Sequence, residues 1–349
     1  MKNMTRMLLL ALMLMTSNSM WAYDFIVNEI RYNIKSPTEV WVAKYEDYTG
    51  RKYEGDIVIP DEVVYQGATY KVTGIDQWAF GECPDLTSVI VGNNVKILEE
   101  SAFDRSKKLS KVVLGNSVEK IGYQCFYRCE LITSIQLPET LTEIGESAFT
   151  YTGLTSLVIP DKVTTVGASA FSSCEKLAWV KIGSGLTSIY DGMFYYSKAL
   201  KSIALPDNVK TICRSSFSRG GIETIYLGKG VSEIERTAFG GCSDLKTVYS
   251  ASTTPGTIRE NAFIQVNLAS VNLVVPTGSK SAYQNAPGWK DFGTITEMDN
   301  IETADIQEVK NQSKMQGIYD INGRLLPAMQ KGLNIVKMSN GETRKVVVK

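Results

Sequence analysis

The sequence predicts a repeat solenoid built mainly of β structure, and three observations carry that prediction. A phenylalanine recurs as Phe80, Phe103, Phe126, Phe149, Phe171, Phe194, Phe217, Phe239 and Phe263, at intervals of 22 to 24 residues. An aliphatic residue stands five positions before each of them: Ile75, Leu98, Ile121, Ile144, Val166, Ile189, Ile212, Ile234 and Ile258. A second apolar block follows each Phe and alternates with a period of two, as in Val89-Ile90-Val91. Self-similarity at a fixed period of this size marks a stack of small units that bury their apolar faces only against each other.

The alternating block is read as a short strand with Val89 and Val91 pointing inward. About nine such repeats would form one long parallel sheet, advancing roughly 5 Å per coil to a length on the order of 40 Å. The chain leaves the sheet at Gly92, Gly115, Pro138, Pro160, Gly183, Pro206 and Gly228, and a further aliphatic column follows at Val95, Val118, Leu141, Val163, Leu186, Val209 and Val231. The two 22-residue repeats each drop one residue in the same place, between Phe149 and Leu154 and between Phe217 and Ile222. A deletion confined to one bend is what a conserved core with variable loops requires.

The ends differ from the array. Residues 1–22 have the form of a secretory signal: Lys2 and Arg6, then an apolar run from Met7 to Met15, then a small and polar stretch to Ala22. That run is too short to span the roughly 30 Å of a bilayer core, so no membrane span is expected after its removal. Residues 23–70 are expected to form a β-rich N-terminal cap with a hairpin around Gln66-Gly67, and residues 71–275 the solenoid. Residues 276–298, with a short helix over Lys280 to Gln284 and Trp289 and Phe292 as cover, are expected to close the last coil. Residues 299–313 read as a polar linker. Residues 314–349, with Asn322-Gly323 and Asn340-Gly341 between apolar runs, read as a small antiparallel β domain.

Charge is balanced, 37 basic against 37 acidic residues, so nothing favours nucleic acid as a partner. There is no histidine at all, which removes Ser-His-Asp and Cys-His catalysis and every His-containing metal site. Carboxylates such as Glu99 and Glu100, or Asp244 and Glu260, fall in bends where solvated charge is ordinary, and no phosphate-binding glycine loop is present. The chain is therefore read as a non-enzyme with no cofactor and no metal. Cys83, Cys129, Cys174 and Cys242 lie three residues after a repeat Phe in coils one, three, five and eight. Coils two steps apart are about 10 Å apart, beyond the ~7 Å a disulfide tolerates, so free buried thiols are expected.

The sequence from Pro160 to Cys174, a turn followed by Val-x-x-aliphatic-Gly-x-x-Ala-Phe-x-x-Cys, resembles the BspA-like class of bacterial leucine-rich repeats, and the likeness runs from about Asp56 to Phe292. The resemblance implies a curved, right-handed leucine-rich-repeat solenoid exported to the cell surface, with relatives that act as adhesins for host matrix proteins or other bacteria. The ninth repeat departs from the pattern between Ser250 and Thr257. The stretch Gly317 to Arg324, with Lys331 to Val336 and Lys345 to Lys349, resembles the C-terminal sorting domains of type IX secretion cargo, which implies the surface or surroundings of a Gram-negative bacterium.

Strand residues that alternate with the core should face outward. One outward column runs through Ser88, Lys111, Ser134, Ser156, Trp179, Ser202, Thr224, Thr247 and Ser270; its neighbour runs through Ile90, Val113, Gln136, Val158, Lys181, Ala204, Tyr226, Tyr249 and Asn272. Aromatic residues on a rigid sheet are favourable anchors because they bury much area at little entropic cost. The expected partner-binding residues are accordingly Trp179, Tyr226, Tyr249, Lys181, Val158 and Ala204, and the expected partner is a protein, from host extracellular matrix or another bacterial surface. A structural envelope component and a glycan-binding protein are the alternatives. Nothing in the sequence fixes an oligomeric state; a monomer is the expectation.

Overall fold

The computed structural model describes residues 23–45, 52–299 and 301, together with four strands within 315–348. The signal-like segment 1–22 and almost all of 299–313 lie outside the described residues. Within 23–299 the chain is a mainly β parallel solenoid, and its core is a file of aromatic rings. All nine repeat phenylalanines are buried. Each stacks on the next, from Phe80 on Phe103 at 5.0 Å and 2° to Phe239 on Phe263 at 4.9 Å and 8°, the widest step being 6.0 Å between Phe171 and Phe194.

The bend that carries each Phe is held by an unusual backbone. The residues two before and two after every repeat Phe have positive φ, from Trp78 (60°) and Glu82 (52°) to Asn261 (62°) and Gln265 (65°). Most are not glycine, so each coil carries left-handed strain on the order of 1 kcal/mol per residue. The strain is offset by pairing: the amides of Trp78, Phe80 and Glu82 donate to the carbonyls of Glu100, Ala102 and Asp104 in the next coil, and later coils repeat the pattern. A buried backbone amide left unpaired would cost more than the strain.

Parallel strands flank the bend on both sides. The expected alternating strands are present as one column, with Ser88 beside Lys111, Leu157 beside Val180, Ile203 beside Ile225 and Val248 beside Leu273. This column is segmented in two places: coil three has no strand between Leu131 and Leu137, and Trp179–Lys181 is not paired with Ser202–Ala204. Where the sequence suggested one long sheet, coils two to nine each also contribute a second strand of two residues ending on the aliphatic that precedes Phe, and in coil one the longer strand Ala68–Ile75 takes that place. Leu98, Ile121, Ile144 and Val166 lie in register there, as do Ile189, Ile212, Ile234 and Ile258. Coils pack closely beside it: a Cβ on Gly145 would lie 2.5 Å from the Gly122 carbonyl carbon.

Aromatic residues also close both ends. At the first coil the Tyr53 ring lies 4.6 Å from that of Phe80, and its hydroxyl donates to Ala43 O and accepts from the Arg31 amide, each at 3.0 Å. The strands Phe25–Val27, Ile30–Ser36 and Glu39–Val42 are antiparallel neighbours; the last runs parallel to Ala68–Ile75, which forms a hairpin with Glu62–Tyr65 across Gln66 and Gly67. At the far end, the irregular stretch after Ser250 is completed by side chains from the closing segment. Tyr283, on the helix Lys280–Asn285, donates to Ser252 O at 2.9 Å, and Trp289 Nε1 donates to Gly256 O at 2.6 Å. Phe292 meets Phe263 edge-on at 82°, ending the parallel stack.

The six cysteines are free, five of them buried and Cys213 half-buried. Burial pushes their thiols up, Cys83 and Cys174 to about 11 and Cys242 to about 12, so they serve as small packing groups and not as nucleophiles. Near the C-terminus, Leu325–Leu326, Met315–Tyr319, Gly332–Met338 and Thr343–Val348 form a four-stranded antiparallel sheet in that order.

Candidate partner-binding face

The alternating strands position the site. Val89, Val112, Leu157, Val180, Ile203, Ile225 and Val248 are buried, which turns the residues on either side of each outward. Strand register then fixes two outward rows. Trp179 stands beside Ser156 and is half-buried; Lys181 stands beside Val158 and is exposed. Ala204, Tyr226 and Tyr249 lie in register one coil apart.

Tyr226 departs from expectation. Alternation places it outward, yet it is only 4% exposed, with the Tyr249 ring stacked on it at 4.4 Å and the buried Val274 one coil beyond Tyr249. Large neighbours cover an outward side chain as effectively as a core does, so Tyr226 is not an open anchor. Tyr249 remains half-buried.

The opposite end of the row, placed outward by the sequence but not among its expected binding residues, is more open. Val58, Ile90 and Val113 lie side by side in register and are 59%, 41% and 43% exposed. Val58 escaped notice because its strand, Gly55–Val58, precedes the first repeat Phe; its alternation with the half-buried Ile57 is the signal that marks it. Beside this apolar stripe runs a polar one. Asp56 accepts from Ser88 Oγ at 2.6 Å and Thr87 Oγ1 at 2.7 Å, and these bonds hold its carboxyl below the usual range. Lys111 follows Ser88 in register and is exposed.

One group of side chains has the composition of a metal site: Asp191, Cys213 and Glu235, from three successive coils. Three of its four carboxylate oxygens already accept from Arg214. The Arg214 amide donates to Asp191 Oδ1 at 3.1 Å and to Glu235 Oε2 at 3.0 Å, and the Arg214 guanidinium pairs with Asp191 Oδ2 at 3.1 Å. Burial and the flanking carboxylates push the Cys213 thiol up to about 12.

Residues 67–178 and 164–287 match the BspA type leucine-rich repeat region, in six copies. The chain belongs to the BspA-type leucine-rich repeat family. Its Phe ladder and its Cys column lie within the matched residues. Among solved structures, the family member is similar to a leucine-rich repeat protein from Bacteroides ovatus, 25% identical, with a TM-score of 0.56 over 79% of this chain and 77% of the other. It also matches a leucine-rich repeat protein of T. pallidum, 22% identical, with a TM-score of 0.48 over 64% and 90% of the two chains. A leucine rich cell surface protein from Faecalibacterium prausnitzii matches at 18% identity and a TM-score of 0.32, over 80% and 96%. No curated protein matches the chain.

Proposed function

We propose that this BspA-type protein is an exported binding protein of adhesin type, which presents the outer face of its alternating strands to a protein of host extracellular matrix or of a neighbouring cell. The observation that carries the reading is the exposed apolar stripe of Val58, Ile90 and Val113, set on a scaffold whose every coil is hydrogen-bonded to the next. Three β-branched side chains held open in register are an interface core waiting for cover, because exposed apolar area in contiguous patches marks binding sites. Trp179, Val158, Lys181, Ala204 and Tyr249 extend the same face along the rod and supply its aromatic and charged contacts.

Export is supported by the signal-like segment 1–22 and by the family, and no helix among the described residues is long and apolar enough to cross a membrane. The C-terminal segment that resembles type IX sorting domains directs the protein to the surface in this reading. Removing residues 314–349 should then leave the protein inside the cell envelope of its host. Catalysis has no part in the proposal.

The test is capture of matrix proteins by the full mature chain, compared with a variant carrying Ile90→Ser, Val113→Ser and Trp179→Ser. Tyr226 is left alone, since its burial makes any substitution a stability change. Loss of capture with an unchanged melting temperature supports the face as the binding site. Equal capture by both proteins rejects it, and retention only on glycans favours the carbohydrate alternative.

A further inference from the structure

A different side of the coil carries a second surface. In coil three, Tyr127 and Arg128 follow directly after Phe126, and in coil four Tyr151 occupies the place that Arg128 holds in coil three. Arg128 and Tyr151 are two of the positive-φ residues, at 57° and 61°, and their amides donate to Thr150 O and Ser172 O at 2.9 and 3.1 Å. The backbone beneath the side chains is therefore pinned to the coil that follows. The two tyrosine rings meet edge-on, 5.8 Å apart at 86°. The Arg128 guanidinium lies over both, 5.5 Å from the centre of Tyr127 and 5.1 Å from that of Tyr151. Arg128 and Tyr151 are exposed.

The neighbouring arginine of the same column is already engaged. Arg105 lies 3.7 Å from Glu82 and 3.8 Å from Asp104. Arg128 forms no ion pair with any described residue; its guanidinium donates a hydrogen bond to the Tyr127 hydroxyl, which strengthens its charge, and Tyr151 and Glu130 add to that from further off. A guanidinium tied to the Tyr127 hydroxyl and lying over two rings has little entropy left to lose on binding, and its remaining donors make no ion pair with a described residue. Its planar fork matches a carboxylate with two parallel hydrogen bonds.

We infer that Arg128, Tyr127 and Tyr151 form a second docking site, separate from the strand face, for an acidic segment of a partner protein. Charge complementarity selects the acid. The tyrosines favour protein over carbohydrate: they meet edge-on with Arg128 over both, so their faces are already partly covered and leave less flat surface on which a sugar ring stacks. The site does not depend on the strand-face reading, since it shares no residue with it.

The test uses the full chain and immobilised probes: short synthetic peptides rich in Asp and Glu, the same peptides with Asn and Gln, and polygalacturonate, which carries carboxylates on a sugar backbone. The acidic peptides should bind and the amide peptides should not. Arg128→Gln should weaken binding roughly tenfold or more, the scale of a lost charge-assisted pair. Arg128→Lys should fall between, because it keeps charge without the fork. Arg219→Gln, an exposed arginine of the same column in coil seven, should leave binding as it was. Equal binding by wild type and Arg128→Gln, an absence of binding to the acidic peptides, or preference for polygalacturonate would each overturn the site. A thermal melt of each variant separates loss of the site from loss of the fold.

Discussion

Phe149 and Phe171 stack at 5.3 Å and within 9° of parallel across one of the two short repeats. The missing residue is absorbed after Phe149, where Thr152 folds its hydroxyl back onto Phe149 O at 2.8 Å, and the ring spacing is left intact. The core therefore dictates the pitch and the bends adjust to it.

Phe149→Ala would remove a ring that touches neighbours on both sides, at 5.2 and 5.3 Å. A loss of about 3–5 kcal/mol is expected from the buried area and the cavity together. Phe263→Ala should cost less, because that ring is 7% exposed and has a parallel partner on one side only. Guanidinium denaturation of both variants checks the ranking; the reverse order would contradict a ladder whose centre is its best-packed part.

Asp104 is 1% exposed, its Oδ1 has no hydrogen-bond partner among the described residues, and desolvation pushes its carboxyl up from 3.8 to about 6 against the pull of Arg105. A folded pKa above the unfolded one means that proton uptake favours the fold. The contribution is complete below about pH 4 and is lost as pH rises through about 6. Asp104→Asn should accordingly stabilise the protein at pH 8, by an amount on the order of 2 kcal/mol, and change little at pH 4. Denaturation at the two pH values measures the difference; a variant less stable at pH 8 would show that the carboxylate is satisfied in a way the fold does not reveal.

In the native protein only Cys213, the half-buried thiol, should react with an alkylating agent, and slowly, since its thiol is pushed up to about 12. The other five should need denaturant. Mass spectrometry of the labelled protein tests this, and a Cys83–Cys129 disulfide in the unreduced sample would break the register of the coils.

These expectations rest on features of unequal visibility in the sequence. The Phe file and the inward columns were legible because each repeats with one residue type and one spacing. The two-residue strands before Phe in coils two to nine were not, since two residues are too few to display a period. The positive-φ position two after each Phe holds Glu82, Arg105, Tyr151, Ser173 and Gln265 among others, which share no chemistry, and the position two before is mostly Ser, Thr, Asn or Gly but also admits Trp78 and Gln124, so the backbone reveals them more clearly than the residue types do. Of the binding face, alternation supplied which side Tyr226 faces but not that Tyr249 would cover it. The Arg128 cluster lies on bend residues, where the repeat imposes no pattern at all.

Trp289→Ala should open the last coil. It would remove the bond to Gly256 O and a fully buried indole that also packs on Tyr283 and Phe292. The expected cost is about 3–5 kcal/mol if the array unfolds as a whole. Hydrogen exchange should show protection lost first between Ile258 and Phe263; loss starting instead at coil one would place the weak end elsewhere.

The stacking itself is tested most directly by the distance between spin labels on Lys111→Cys and Thr247→Cys, in a chain with Cys213→Ser so that no native thiol is accessible. Both positions belong to one outward row, six coils apart. A single narrow distribution near 30 Å is required if each coil advances about 4.8 Å. A broad distribution, or one centred far from that value, would mean that the nine coils do not form one rigid stack.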